Sequence, residues 1–413
     1  MKGLLIGSTV ALAVGGFAVG NAFATYGTNL IGIGPIARGM GGVGVAAPQD
    51  AISAVFANPA GMCFGPYCPG SEFNFSGTIF DPHVKGKISS PFGVTEDKSQ
   101  HDVYVIPAIG LSIPINLKWR FGLAAYGNSG LGVDYRNKLV SPLYPSANGY
   151  WLDTEYQVMK FAPSIAYLVN DNLSLGAALH IDYADLDFGQ GASHGYGAGI
   201  QLGALYKTGP MSFGISYISP QKVTHERVFD FDGDFIRDDF DLEAPQNLAV
   251  GVAYQPTSRF LIEGNVKWIN WGDADGYKDF EWDDQWVFAV GGQYKPTPKL
   301  ALRLGFGYSE QPIDVKAQVP AGPRTVQGYN LQGGQTNFSN FKILGLPAVV
   351  ETHIGLGIGY DFTDTLSLNA SFVHAFANSE KETVINGLGP GADVTFESEL
   401  WENSFEFGLT KRF

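Results

Sequence analysis

The chain has 413 residues, with 54 glycines, aromatics at 13% and charged residues at only 16%. That balance is unusual for a soluble globular enzyme and fits one large β-barrel better than several ordinary domains. A formal net charge of −14 argues against a nucleic-acid partner, which needs a basic surface.

Residues 1–24 read as a secretory signal. Lys2 supplies the positive region, an apolar stretch runs from Leu4 to Val19, and Ala22-Phe23-Ala24 fits an A-x-A cleavage site, so the mature chain is expected to begin at Thr25. No later stretch has about 18 apolar residues without a charge, so none reads as a membrane-spanning helix. Export predicts a small disulfide loop between Cys63 and Cys68, with Pro66 turning the chain back. Two cysteines without a nearby His pair are too few for zinc, and no metal site or cofactor is expected.

Residues 25–70 differ from all that follows. Between Thr25 and Ser71 the only charges are Arg38 and Asp50, and glycines recur throughout. The stretch "ARGMGGVGVAAPQDAISAVFANPAGM", Ala37 to Met62, lacks the Lys that a phosphate-binding G-x-x-x-x-G-K-[ST] loop needs. Small residues suit tight folding in a confined lumen. A short helix is expected here, begun by Gln49 or Asp50 and ended by Pro59, with Ile52, Val55 and Phe56 on its apolar side.

From Glu72 onward the pattern has period two, which places alternate side chains on opposite faces of strands. The final segment is clearest: Trp401, Asn403, Phe405, Phe407, Leu409, Lys411 and Phe413 share one face, and Glu402, Ser404, Glu406, Gly408, Thr410 and Arg412 the other. Strands are predicted near 71–81, 102–115, 119–129, 152–169, 172–188, 195–207, 210–222, 241–255, 259–271, 281–295, 299–310, 348–361, 365–378 and 400–413. Tight links at 116–118, 170–171, 208–209, 256–258, 296–298 and 362–364 alternate with longer polar ones. Short periplasmic turns alternating with long outer loops are the pattern of a bacterial outer-membrane barrel. The fold class is therefore all-β: an antiparallel transmembrane β-barrel of about fourteen strands over residues 71–413. Both barrel ends then lie in the periplasm. Trp151, Trp268, Trp271, Trp282, Trp286 and Trp401 fall at outer strand ends and Trp119 at an inner one, as interfacial aromatic belts would. The terminal Phe413, backed by Leu409, Phe407 and Phe405, suits the signal read by the barrel-assembly machinery; Lys411 departs from that apolar face.

The N-terminal "GIGPIARGMGGVGVAAPQDAISAVFANPAGM", with Asn58-Pro59-Ala60 after a Gly/Ala-rich lead, resembles the FadL-type outer-membrane transporters of long-chain fatty acids and other hydrophobic compounds. "NLAVGVAYQPTSRFLIEGNVKWINW" and "WVFAVGGQYKPTPKLALRLGFGYSEQPI" resemble that family's paired central strands. The resemblance implies a fourteen-stranded barrel with an N-terminal hatch, or plug, at residues 25–70, in the outer membrane of a Gram-negative bacterium. It implies passive uptake: a long-chain fatty acid or hydrocarbon binds inside and leaves sideways through a kink in the third strand. The matching positions are the hatch motif Asn58, Pro59 and Ala60 and the gate segment Tyr126, Gly127, Asn128, Ser129 and Gly130. Glycines at 127 and 130 relax strand pairing. Expected partners are the hydrophobic ligand, outer-membrane lipid and lipopolysaccharide, and the barrel-assembly machinery, with the chain a monomer.

Two other readings stand beside this one. A lipid-hydrolysing enzyme needs a nucleophile with a base, but the segment around Ser129 is not G-x-S-x-G, and the seven histidines are scattered; His180 reads as a polar lumen residue. An adhesin or structural barrel would use the long loops 311–347 and 379–399. The acidic run Asp230, Asp232, Asp234, Asp238, Asp239 and Asp241 reads as a solvated loop rather than a Ca²⁺ site. Lys160, Arg303 and Lys316 are candidate carboxylate partners or ordinary lumen and loop charges.

Overall fold

The computed structural model describes residues 26–100, 103–136 and 152–413. The signal sequence, its cleavage site and Trp151 lie outside them. Fourteen antiparallel strands close into one barrel. They are β1 Glu72–Ser90, β2 Tyr104–Pro114, β3 Trp119–Asp134, β4 Asp153–Asn170, β5 Leu173–Asp187, β6 Ser193–Thr208 and β7 Met211–Ile218, then β8 Asn247–Thr257, β9 Phe260–Ile269, β10 Gln285–Tyr294, β11 Leu300–Ser309, β12 Thr352–Thr363, β13 Leu366–Ile385 and β14 Val394–Arg412. Each pairs with its sequence neighbours, and β14 returns to β1 from Glu72↔Arg412 to Ser89↔Thr395. No described helix is long and apolar enough to cross a membrane.

All fourteen predicted strands are present, several longer than expected. The loop expected at 379–399 is mostly strand: β13 and β14 run on to a turn at residues 386–393, pairing through Thr383↔Thr395 and Val384↔Val394. The alternation sorts as read. On β14, Phe405, Phe407 and Leu409 face outward and exposed, while Glu402, Ser404 and Glu406 are buried inside. Leu302, Leu304 and Phe306 on β11 and Leu175, Leu179 and Ile181 on β5 are likewise exposed. Apolar side chains outward and polar ones inward invert a soluble protein and match a barrel in lipid.

The aromatic-belt expectation fails for two tryptophans. Trp271 and Trp282 are buried at 0% and 2% exposure and pack edge to face at 5.1 Å against each other, with Tyr277 alongside. They lie over Gly27, where any Cβ would meet the Trp271 ring, so they serve the interior and not the lipid boundary. Trp286 and Trp119 stay exposed as belts require.

The N-terminal segment, residues 26–71, is almost wholly buried and contacts strands around the ring. It holds α1 Pro35–Gly39, α2 Ala51–Ala57 and a 3₁₀ turn at Pro59–Cys63. The predicted helix limits hold. Asp50 caps α2 by accepting from the Ser53 amide at 2.8 Å, and the chain leaves the helix at Asn58, before Pro59. α1 touches β11 to β14, α2 touches β1 to β4, and the 3₁₀ turn touches β3 to β6. Glu263 on β9 accepts from the amides of Gly44 (3.0 Å) and Ala46 (2.8 Å), fixing the stretch between the helices. The strands meet this segment with glycine. A Cβ at Gly176 would strike the Ala60 backbone, at Gly203 the Asn58 amide, at Gly214 the Val45 carbonyl, and at Gly305 the backbone of Met40 and Gly41.

Outer loops cover the opposite mouth. The 310–351 connection carries α3 Gly334–Asn340 and packs Phe341 against Phe188 at 4.8 Å and Phe280 at 5.1 Å. Beneath the rings, fully buried Lys342 binds Glu281 (2.9 Å) and Glu382 (2.8 Å). Burial alone would raise the Glu281 carboxyl. Lys342, Arg324 and Lys316 outweigh that and hold it below its ordinary value. A carboxylate depressed in the folded state contributes stability above its unfolded value and loses it as pH falls through the folded one. Loop docking is therefore expected to be intact at neutral pH and to loosen as pH falls below about 4.5, read as a change in fluorescence of buried Trp271 and Trp282.

Candidate functional site

The hydrogen-bond ladder of the barrel has a fault between β2 and β3. Their pairing runs from Pro114↔Arg120 up to Ala108↔Tyr126 and stops. Above that point, among the barrel strands, Tyr104–Pro107 of β2 pair with β1 alone and Gly127–Asp134 of β3 with β4 alone. The β3–β4 register also shifts between Gly127 and Ser129, leaving Asn128 as a bulge. The segment Tyr126–Gly130, expected to kink, thus holds both the last β2 contact and the bulge. A Cβ at Gly127 would crowd the Ile106 side chain of β2, which a larger residue must push aside.

The edge that β2 leaves bare is taken by the N-terminal segment. The Leu30 amide donates to the Asn128 carbonyl at 3.0 Å, and the Gly130 amide to the Thr28 carbonyl at 3.0 Å. Ser129 Oγ donates to Asn29 Oδ1 at 2.6 Å. Two buried backbone groups of β3 are satisfied this way, as they must be where no water enters.

A chamber opens behind this edge. Its lining includes Tyr26, Asn29, Leu30, Val45 and Phe56 of the N-terminal segment, Tyr126 and Asn128 of β3, and Lys160, His180, Ile218, Lys267, Ile269 and Val287 of the wall. Lys160 is neutralised by Asp182 at 3.1 Å and bonds Gln221; His180 bonds Gln201 at 3.1 Å, which reaches the Phe56 carbonyl at 3.0 Å. His180 is thus a polar lumen residue, as read.

Asn58, Pro59 and Ala60 follow Phe56 and Ala57 of the lining in sequence and are not themselves part of it. The Asn58 amide donates to the carbonyls of Val45 (2.8 Å) and Ala204 (3.1 Å) and accepts from the Ala60 amide (3.1 Å). Ser174 of β5 donates to the Ala60 carbonyl at 2.8 Å. The motif ties two parts of the segment to β5 and β6. It does not touch Tyr126–Gly130 through these bonds; the two sets are joined by α2, whose Phe56 packs edge to face on Tyr126 at 5.5 Å.

The disulfide expectation is corrected. Cys63 and Cys68 are free thiols, and Cys68 Sγ instead donates to the Met62 carbonyl at 3.1 Å. Asp230, Asp232 and Asp238 bring carboxylates within 4.8 Å of one another. Asp230 accepts from the amides of Gly233 (2.7 Å) and Phe235 (3.0 Å), and Asp238 from Phe231 (3.0 Å), so these groups hold the loop's own turn. Of the three cations singled out from sequence, only Lys160 lines the chamber. Arg303 bonds Gln293 and Asn369 beside the N-terminal segment, and Lys316 sits in an outer loop with Asp314. Lys267 was missed, although period two along Glu263, Asn265, Lys267 and Ile269 already turned it inward.

The sequence matches the family described as outer membrane protein transport protein (OMPP1/FadL/TodX) over residues 11–225 and 195–332. The chain belongs to this family. It is a transport protein of the Gram-negative outer membrane. Its fold is similar to a FadL homologue of Pseudomonas aeruginosa, with 17% identity, TM-score 0.70, and coverage of 93% of this chain and 99% of that one. The Pseudomonas putida toluene transporter TodX gives 18% identity and TM-score 0.66, covering 92% and 99%. The Ralstonia pickettii toluene transporter TbuX gives 16% and 0.60, covering 92% and 98%. No curated protein matches the chain.

Proposed function

We propose that this family member takes up long-chain fatty acids or other hydrophobic molecules passively, holding them in the chamber and releasing them sideways between β2 and β3 into outer-membrane lipid. The observation that carries this reading is that the fault in the ladder and the chamber share Tyr126 and Asn128. In this reading the N-terminal segment is the hatch, closing the axis while its residues 28–30 cover the fault. Resemblance in fold to two toluene transporters supports an apolar cargo.

The physical logic favours a side exit. Moving each CH₂ from an apolar pocket into water costs about 0.8 kcal/mol. A solute passed directly from protein to lipid never meets that cost. Only the pairing of residues 28–30 with β3 has to open, which exchanges two backbone hydrogen bonds worth about 1 kcal/mol each.

The test is uptake by cells lacking their own transporters of this type. Expression of the chain is expected to raise accumulation of labelled oleate or toluene and to leave uptake of a small hydrophilic sugar unchanged. Protein correctly assembled in the outer membrane with no gain in either hydrophobic solute would overturn the reading and favour a structural or adhesive barrel.

A further inference from the structure

We infer that the end of the barrel carrying the short turns holds a site for a small phosphate-class oxyanion, centred on Arg303 and bordered by the N-terminal segment. It is separate from the chamber and does not rest on the uptake reading. The place is a polar cup whose lining joins Gln49 of the segment to Gln293, Arg303 and Asn369 of the wall. Lys295 and Lys299 enter it from the β10–β11 turn, and Asp361 and Arg412 from the ends of β12 and β14. Arg412 is paired with Glu72 at 2.9 Å. Among the described residues Arg303, Lys295 and Lys299 have no carboxylate within 4 Å. Asp361 is the only carboxylate among the described residues of the lining, and it accepts from Ser367 Oγ. Asp50 of α2 faces Arg303 from beyond 4 Å and is engaged by the Ser53 amide at 2.8 Å. Positive charge is therefore in excess here, in a chain whose net charge is −14.

Hydrogen bonding tells the same way. Arg303 Nε donates to Gln293 Oε1 at 2.8 Å and Nη1 to Asn369 Oδ1 at 3.0 Å. Nη2 and the Asn369 amide nitrogen have no acceptor among the described residues, although Arg303 is only 8% exposed and Asn369 6%. Both atoms keep some access to open space. The wall is cut back to seat this group. A Cβ at Gly359 of β12 would come within 2.9 Å of Nη1 and 2.3 Å of Asn369 Oδ1. The same chain of amides reaches the segment: Gln293 Nε2 donates to Gln49 Oε1 at 3.3 Å, and Gln49 Nε2 to the Ala47 carbonyl at 2.9 Å. A guanidinium held in one orientation with free donors suits an oxyanion, since bonds between charged partners are the strong ones. A carboxylate offers its oxygens on one side, a phosphate on every side. Donors arriving from β11, β13 and the β10–β11 turn favour the phosphate. Such an anion binds the form in which the segment is seated, and by mass action it stabilises that form.

The test is calorimetry on the full chain in a nonionic detergent, at constant ionic strength. Inorganic phosphate is expected to bind saturably, chloride not to bind, and acetate to bind far more weakly than phosphate. Arg303→Gln should weaken phosphate by on the order of tenfold or more, the worth of a hydrogen bond to a charged group. Lys295→Gln, in the turn, should weaken it by a smaller factor and covers the case where the Arg303 variant fails to fold. Glycerol phosphate identifies the source: binding as tight as that of inorganic phosphate marks an esterified headgroup, and weaker binding marks the free anion. No saturable phosphate binding by the native chain, equal binding of acetate, or full phosphate affinity in folded Arg303→Gln would overturn the site. None of these outcomes bears on uptake of oleate or toluene.

Discussion

Gly127→Arg and Gly130→Arg are expected to cut uptake of a long-chain fatty acid by on the order of tenfold or more, equivalent to about 1.4 kcal/mol or more of added barrier. The chain carrying either substitution should still insert and fold. Position 127 lies where β3 parts from β2, and a Cβ there would crowd the Ile106 side chain. A long cationic side chain has only the fault to occupy, so it fills the opening and sets a charge against lipid. Position 130 bonds Thr28, so its substitution acts on the covering residues as well. Asn58→Ala should also lower uptake, by a different route. It removes the side-chain donor to the buried Val45 carbonyl and the bond to the Ala204 carbonyl, and loosens the segment against β6. Undiminished uptake in well-folded Gly127→Arg and Gly130→Arg variants would refute a sideways exit at this place.

Gly305→Val is expected to be the most damaging single change to the barrel interior. Its Cβ would overlap the Met40 carbonyl carbon and the Gly41 amide, both backbone. Gly41 has φ 71°, a conformation that only glycine adopts cheaply, so the segment cannot turn aside there. Overpacking costs about 1–3 kcal/mol even where side chains can yield. Here the segment itself must give way, and the barrel should become leaky. Vesicles carrying the variant should swell in a small sugar, while the native chain keeps them tight. Gly77→Val is the control, because nothing lies within 4 Å of a Cβ at that outward position. Equal tightness of both variants would show that the segment is not held by this fit.

The strands were legible because each alternates along its length between two solvents, lipid and lumen. The Asn58-Pro59-Ala60 turn was legible because Pro59 forbids α2 to continue. What escaped depends on partners distant in sequence. Period two sets Gly305 on the face opposite Leu304 and Phe306, but nothing local says that Met40 and Gly41 will lie against it. Trp271 and Trp282 look like belt residues until Gly27 is placed under them. Residues 379–385 and 394–399 read as part of a long polar link, yet they pair as strands, with Val384, Val394 and Phe396 buried on one face. Lys267 was visibly inward, but the rings it lies over belong to the assembled chamber, not to its own strand.

The unequal strands give the barrel a slanted rim. β1, β13 and β14 have 19, 20 and 19 residues, against 8 for β7 and 10 for β9, β10 and β11. Crossing the bilayer takes about 9–11 residues, and at roughly 3.3 Å per residue and a tilt near 40° the surplus lifts the seam on the order of 20 Å above the membrane. That is the depth of a sugar layer rather than of a lipid headgroup. A molecule arriving from outside therefore meets a standing wall on one side and, on the other, a low sill roofed by the 219–246, 270–284 and 310–351 loops. In the uptake reading proposed above, those loops stand over the way into the chamber, with the tall seam beside them.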